Sequence, residues 1–493
     1  MIHALLGLIL CCWAGIAGAA HGERYKLPEP PAPSEAPAQA LTLEAVTEAA
    51  LLSFPGLIAA EQRKAAAQGE QLTAEGGFDT TLKLLSRWSV AGLYENQNYD
   101  VSIEQPTGLW GASFFGGWRR GTGNYPTYEG KSMTANDGEF RGGVTLPLWR
   151  NGPIDRRRAS LAQAELGQII AGHEYDAALL ELKRVVANRY WDWVFAGQRR
   201  KIARELLAVA ERRDQGVRER AAAGDIAAID ATDNQRTILE RRERLIAAER
   251  LLEQTAIQLG LYYRDPDGEP RLPSPEQLPN GFPEPAPPKL ASLDAAIEEA
   301  RQRRPELQRL AQQRKQAEIE REWAQNQQAP AVDISLMGAQ DLGVSASKLV
   351  NREEVYAGVS IDLPLQRRVA RGRTQSAEAN AQRLAQDYRL ASDRIGAEVR
   401  DALSALKAAQ QRIAVVRQQR EAARQLAEGE QTRFELGDSS LLIVDMRELA
   451  NGDAAIAEAE ALGAFFKAMA DYRAALGAVE NRETRFARAP AAE

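Results

Sequence analysis

The chain has 493 residues, with 62 Lys and Arg against 68 Asp and Glu for a net charge of -6, and a mean hydropathy of -0.40. That length allows more than one domain, while that polarity excludes a polytopic helical membrane protein, whose spans each need about 20 mostly apolar residues. Two cysteines (Cys11, Cys12) and three histidines (His3, His21, His173) give no material for disulfides, thiolate zinc, a Ser-His-Asp triad or a His-rich metal site once the N-terminus is removed.

The first segment, MIHALLGLILCCWAGIAGAA (1–20), is an apolar run followed by the small residues Ala17-Gly18-Ala19-Ala20. This is a signal-peptidase pattern, so the mature chain is expected to begin near Ala20 or His21. Lipidation at Cys11 or Cys12 fits poorly, because the bulky Leu10 and Cys11 stand where a small residue is needed. A proline-rich stretch follows over 21–40, and then LTLEAVTEAALLSFP (41–55), which reads as a short helix with a terminal proline.

Residues 78–148 alternate. In YDVSIE, Tyr99, Val101 and Ile103 fall on one face and Asp100, Ser102 and Glu104 on the other. A sheet between lipid and water needs this pattern, and a half-buried soluble sheet shows it too. Aromatic placement favours the membrane: Trp88, Trp110, Trp118, Trp149, Tyr94, Tyr99, Phe114, Phe115, Tyr125 and Tyr128 crowd this region, as interfacial girdles do. GWRRGTGNY (117–125) lacks the strand-then-helix setting of a phosphate loop. The region closes on VTLPL (144–148), and RNGPIDRRRA (150–159) then places Arg150, Arg156, Arg157 and Arg158 together. These arginines read as a generic polar collar or as a ring facing lumen or headgroups. Nucleic-acid binding by these arginines is not expected of a chain that is acidic overall and carries an export signal pattern.

From 154 to 222 there is no proline and Ala, Glu, Arg, Gln and Leu dominate, which predicts one helix of roughly 100 Å that must pack in coiled-coil fashion. AAGDIAAID (222–230) interrupts it, and a second helix follows over 225–262. RDPDGEPRLPSPEQLPNGFPEPAPPKL (264–290) is then a proline-rich connector, neither helix nor central strand.

The order repeats after the connector. ASLDAAIEEARQRRP (291–305) matches 41–55 at a shift of about 250 residues, VDISL and EVYAGVSIDLPL alternate over 332–365, a long helix is predicted over 366–436, RFELGDSSLLIVD (433–445) matches AAGDIAAID, and a last helix runs over 439–480 before a tail at 481–493. Two repeats are therefore expected, 41–263 and 291–480. Gly224-Asp225 and Gly437-Asp438 read as matched helix reversals, with glycine left-handed at the end of one helix and Asp or Ser capping the next.

These features together resemble the TolC-like outer membrane efflux proteins: the duplication, LPL closing each strand region, and RFELGDSSLLIVDMRELANGDAAIAEAEALGAFFKAMADYRAALGAV over 433–479. The resemblance implies an α+β membrane protein, a homotrimer in outer-membrane lipid. Its copies would share one transmembrane β-barrel, and their long helices would form a coiled-coil periplasmic tunnel. It also implies a periplasmic adaptor and an inner-membrane transporter as partners, no cofactor and no catalysis. On the same basis Gly224, Asp225, Gly437, Asp438 and Ser439 form the adaptor-docking tips, and Asp225, Asp230, Asp233, Asp438 and Asp445 are candidate aperture acids. The exported substrate is not encoded in any motif. The competing reading is an envelope coiled-coil scaffold with no conduit. One departure stands out: 78–148 is about twice as long as 332–365 and contains an extra turn at Pro106-Thr107-Gly108, so six strands per copy rather than the family's four are conceivable, against an extended surface hairpin.

Overall fold

The structure, a computed structural model, describes residues 39–126, 133–286, 292–344 and 353–478. The expected leader at 1–20 with Cys11 and Cys12, the segment 21–38, Tyr128, connector residues 287–290 and the tail from 481 lie outside these residues.

Each half opens with two helices where one was predicted. α1 (Leu43–Ser53) is capped by Thr42, whose hydroxyl accepts the Ala45 N–H at 3.2 Å, and α2 (Pro55–Glu75) starts on Pro55. The first two helices of the second half, α5 (Leu293–Arg303) and α6 (Pro305–Asn326), repeat this, with Ser292 as cap and Pro305 at the second start. Proline lacks a donor that the first turn leaves unpaired anyway, and its fixed φ suits that position. Each proline therefore begins a helix as well as ending one.

β1 (Thr81–Ser89), β2 (Asn96–Pro106), β3 (Ser113–Gly123) and β4 (Glu139–Pro147) follow α2, and β5 (Ala331–Asp341) and β6 (Glu353–Asp362) follow α6. All six form one antiparallel sheet in chain order. The first LPL ends β4, and the second lies just beyond β6. At 9 to 11 residues, the strands have the length of membrane-barrel strands. The register sorts the side chains. Leu82, Leu84, Tyr99, Val101, Ile103, Phe114, Trp118, Phe140, Val144, Leu336, Val355 and Val359 share one face, while Lys83, Asp100, Glu104, Arg119, Glu139, Arg141, Asp333 and Glu354 share the other. Trp88 and Tyr99 meet edge-on, with ring centroids 6.5 Å apart, at the end of the sheet far from the helices; Trp110 and Trp149 lie exposed at the near end. Of the predicted aromatics, Trp88 and Tyr99 thus lie at one end and Trp110 and Trp149 at the other, while Trp118 is mid-strand, Phe115 faces the polar side and Tyr125 is buried, its hydroxyl donating to the Gln97 carbonyl.

α3 (Arg156–Ala223) and α7 (Arg368–Glu435) are each 68 residues long, about 100 Å at ~1.5 Å per residue. α4 (Ala228–Gly260) turns back along α3, and α8 (Leu441–Ala475) along α7. Near the sheet the layer is α2, α3, α6, α7; farther away it is α4, α3, α8, α7. Two helices run the full length and two positions are filled by stacked shorter ones, so the layer is four helices wide throughout. Its midpoint is the largest core, where α1, α3 and α4 bury Val46, Val186, Trp193, Val194 and Leu259 completely or nearly so.

Three of the four collar arginines hold the sheet-to-helix junction. Arg150 pairs with Asp362 at 3.1 Å, and Arg156 pairs with Glu320 at 3.4 Å while lying over the Trp323 ring. Arg158 pairs with Asp155 and donates to the carbonyls of Asn151, Gly152 and Pro153. The described part of the connector crosses the helix layer at its waist: Phe282 stacks on Trp191 and Phe466, and Glu284 pairs with Arg417, which holds the Glu284 carboxyl below its ordinary range.

Candidate functional site: the helical hairpin tips

Both hairpins reverse on a left-handed glycine. Gly224 has φ +80° and Gly437 φ +83°, and a Cβ at either would meet nothing within 4 Å. Space is therefore not what selects glycine; the conformation is, since an L side chain there costs roughly 1–2 kcal/mol. The Gly224 and Asp225 N–H groups donate to the carbonyls of Ala221 (3.2 Å) and Arg220 (2.9 Å), and those of Gly437 and Asp438 to Phe434 (3.1 Å) and Arg433 (2.8 Å).

The expected capping of the following helix does not occur. The N-cap of α4 is Ala227 and that of α8 is Ser440, and neither makes a side-chain cap hydrogen bond. The residues after each glycine are committed to closing the preceding helix. Ser439 instead donates its hydroxyl to Glu430, one turn and more back along α7, and the Arg433 guanidinium donates to the Asp438 carbonyl at 3.2 Å. α4 and α8 also begin later than predicted, at Ala228 and Leu441.

The five acids occupy different environments. Asp225 and Asp438 are exposed at the reversals. Asp230 lies in the first turn of α4, where a carboxylate suits the helix dipole, and Asp233 pairs with Arg236 at 2.9 Å. Asp445 is enclosed. Its carboxylate pairs with Arg213 of α3 and, at 3.3 Å, with Arg241 of α4, and accepts from the Thr237 hydroxyl at 3.0 Å. Glu448, on the same face of α8, pairs with Arg241 at 2.7 Å and Arg213 at 3.0 Å. Arg241 is only 4 % exposed and also donates to the Leu206 carbonyl at 2.8 Å. Two cations and two anions thus tie three helices together just inside the tips.

A second knot lies beside it: the Asn234 amide, fully buried, donates to Asp214 at 2.8 Å, and Asp214 pairs with Arg218. Sequence reasoning missed Arg213, Thr237, Arg241, Glu448, Asp214, Asn234 and Glu430. The spacing of Asp445 and Glu448 puts both on one helix face, but nothing in the sequence separates Arg213 and Arg241 from the many solvated arginines around them.

A sheet apolar on one face and polar on the other, continuous with a four-helix layer of about 100 Å ending in two hairpin tips, defines a membrane-barrel subunit with a long helical extension. The sequence profile of the family described as outer membrane efflux protein matches residues 123–262 and 296–478, well over half of the chain. The chain belongs to the outer membrane efflux protein family, a family of outer-membrane channel proteins. No curated protein sequence matches it. Among solved structures it is similar to the outer-membrane channel OprN (17% identity, 89% of this chain and 90% of that one, TM-score 0.63). It is also similar to the outer membrane protein VceC from Vibrio cholerae (18%, 88% and 96%, TM-score 0.62) and to the MtrE outer membrane channel of Neisseria gonorrhoeae in its open state (18%, 88% and 88%, TM-score 0.63). At these identities the likeness establishes the shared fold, strands continuous with long helices.

Proposed function

We propose that the chain is the outer-membrane exit duct of a tripartite efflux or type I secretion assembly, passively conducting substrate received from a periplasmic adaptor and an inner-membrane transporter. The observation that carries this reading is the open sheet: among the described residues β1 and β6 each have a neighbour on one side only, so one chain supplies an arc of wall with two bare edges. Bare edges in lipid are untenable, because no water satisfies their N–H and C=O groups. Pairing β1 of one copy with β6 of the next removes both edges, and three copies close the circle while their helix layers close the periplasmic tunnel. The tips at Gly224-Asp225 and Gly437-Asp438-Ser439 then form its far mouth and meet the adaptor.

The test is biochemical. The purified protein should be a detergent-extracted, heat-modifiable trimer from the outer-membrane fraction that conducts ions in planar bilayers. Release from membranes by urea with no conductance would contradict the duct and favour a scaffold.

A further inference from the structure

We propose that the barrel of this protein is unusually wide, about eighteen strands in three copies, with β2 and β3 forming lipid-facing wall that leaves a broader aqueous lumen than four strands per copy would. This rests on the trimeric duct reading and concerns what β2 and β3 add to it.

β2 and β3 are wall, not a surface hairpin. They pair along their lengths with β1 and β4, from Thr81↔Glu104 to Arg119↔Glu139. Their apolar face, with Tyr99, Val101, Ile103, Phe114 and Trp118, continues without a break from Leu82 and Leu84 on β1 to Val144 on β4, Leu336 on β5 and Val359 on β6. A hairpin standing in water has no use for such a stripe. The opposite face is stitched by ion pairs: Lys83 to Glu104, Arg119 to Glu139, and Arg141 of β4 reaching across β3 to Asp100 of β2. Arg141 passes over Gly117, its direct cross-strand neighbour, where there is no side chain in the way. Gly117 also packs so tightly on β2 that a Cβ would lie 2.6 Å from the Val101 carbonyl oxygen.

The hairpin is also fixed at its helix-side end. Thr107 donates to the Ala112 carbonyl to close the turn, and Gly111 sits where a Cβ would lie 2.5 Å from the Asn151 carbonyl oxygen in the junction to α3.

Width then follows from spacing. Strands ~4.8 Å apart and tilted by ~40° each take roughly 6.3 Å of circumference, so six cover about 38 Å and four only about 25 Å. Six strands per copy therefore widen the wall by about half relative to four. Barrels of this strand number leave an aqueous channel.

The test uses single cysteines in the full-length protein with Cys11 and Cys12 replaced by Ala: Ser102→Cys on the polar face of β2, Val101→Cys on its apolar face, and Ser335→Cys on the polar face of β5. Trimer formation is checked for each. Ser102→Cys and Ser335→Cys should label equally fast with a water-soluble maleimide, and Val101→Cys should be protected in liposomes. A maleimide carried on a neutral polymer roughly 20 Å across, wider than four strands per copy would admit, should still reach Ser102→Cys from the barrel end. If Val101→Cys in an intact trimer labels from water as fast as Ser102→Cys, or if the polymer is excluded while the small reagent enters, the wide barrel is wrong. Absence of any trimer in the parent protein would instead defeat the duct reading itself.

Discussion

Tyr190 shows what one buried phenol does at the waist of the helix layer. It is 4 % exposed, stacks edge-on against Trp191, and donates its hydroxyl to the Leu41 carbonyl at 2.9 Å, fastening the start of α1 to α3. Burial, with Glu44 nearby as the lesser cause, pushes its pKa up from 10.0 to about 12. The folded state therefore holds the proton more tightly than the unfolded one. The stabilisation is complete below pH 10.0 and is lost as the pH climbs through about 12. Opening at the α1–α3 contact, read as amide exchange corrected for its base-catalysed intrinsic rate, should accordingly be steady up to about pH 10 and rise above it. Tyr190→Phe should flatten that alkaline rise while costing about 1 kcal/mol at neutral pH for the lost hydrogen bond. An alkaline profile unchanged by the substitution would assign the loosening to another group.

At the scale of elements, the tips are held less by their turns than by the ion network behind them. Arg241 pairs with Asp445 and Glu448 on α8 and adds a second hydrogen bond to the Leu206 carbonyl on α3, so its removal leaves two nearly buried carboxylates sharing Arg213 alone. Arg241→Ala is expected to destabilise the tip region by about 3–5 kcal/mol, the usual cost of breaking a buried pair, and Arg241→Lys to recover only part, since an ammonium cannot fork between both acids. Limited proteolysis within 206–241 and 430–448 reads this directly. Cleavage no faster than in the parent would mean that Arg213 alone suffices. The contrast with what the sequence revealed is physical. Helix length, glycine reversals and strand alternation are periodic or local, and Gly224, Gly437 and the YDVSIE strand could be read from neighbours a few residues apart. The Arg241–Glu448 contact joins residues some two hundred positions apart in a background of solvated arginines, and α2 was hidden behind a proline that marks an end as readily as a beginning.

For the whole molecule the question is which acids govern passage once three copies surround one axis. Asp445 is committed to Arg213, Arg241 and Thr237, and Asp233 to Arg236, so their charge is locally balanced. Asp225 and Asp438 differ: both are exposed, both sit at the outermost point of a hairpin, and their backbone N–H groups, not their carboxylates, close the helix before them. In the proposed trimer these two positions supply six carboxylates around the mouth, and a ring of carboxylates raises local cation concentration in the manner of cation-channel vestibules. Asp225→Asn with Asp438→Asn should therefore lower the cation preference measured as reversal potential in a salt gradient, with trimer yield and melting temperature unchanged because neither carboxylate has a hydrogen-bond or ion-pair partner among the described residues. The effect should shrink as salt rises beyond about 0.15 M, where the screening length falls below about 8 Å. A reversal potential identical to the parent's at low salt would remove both residues from the conducting path and leave the acidic face of the sheet, with Asp333 and Glu354, as the source of any selectivity.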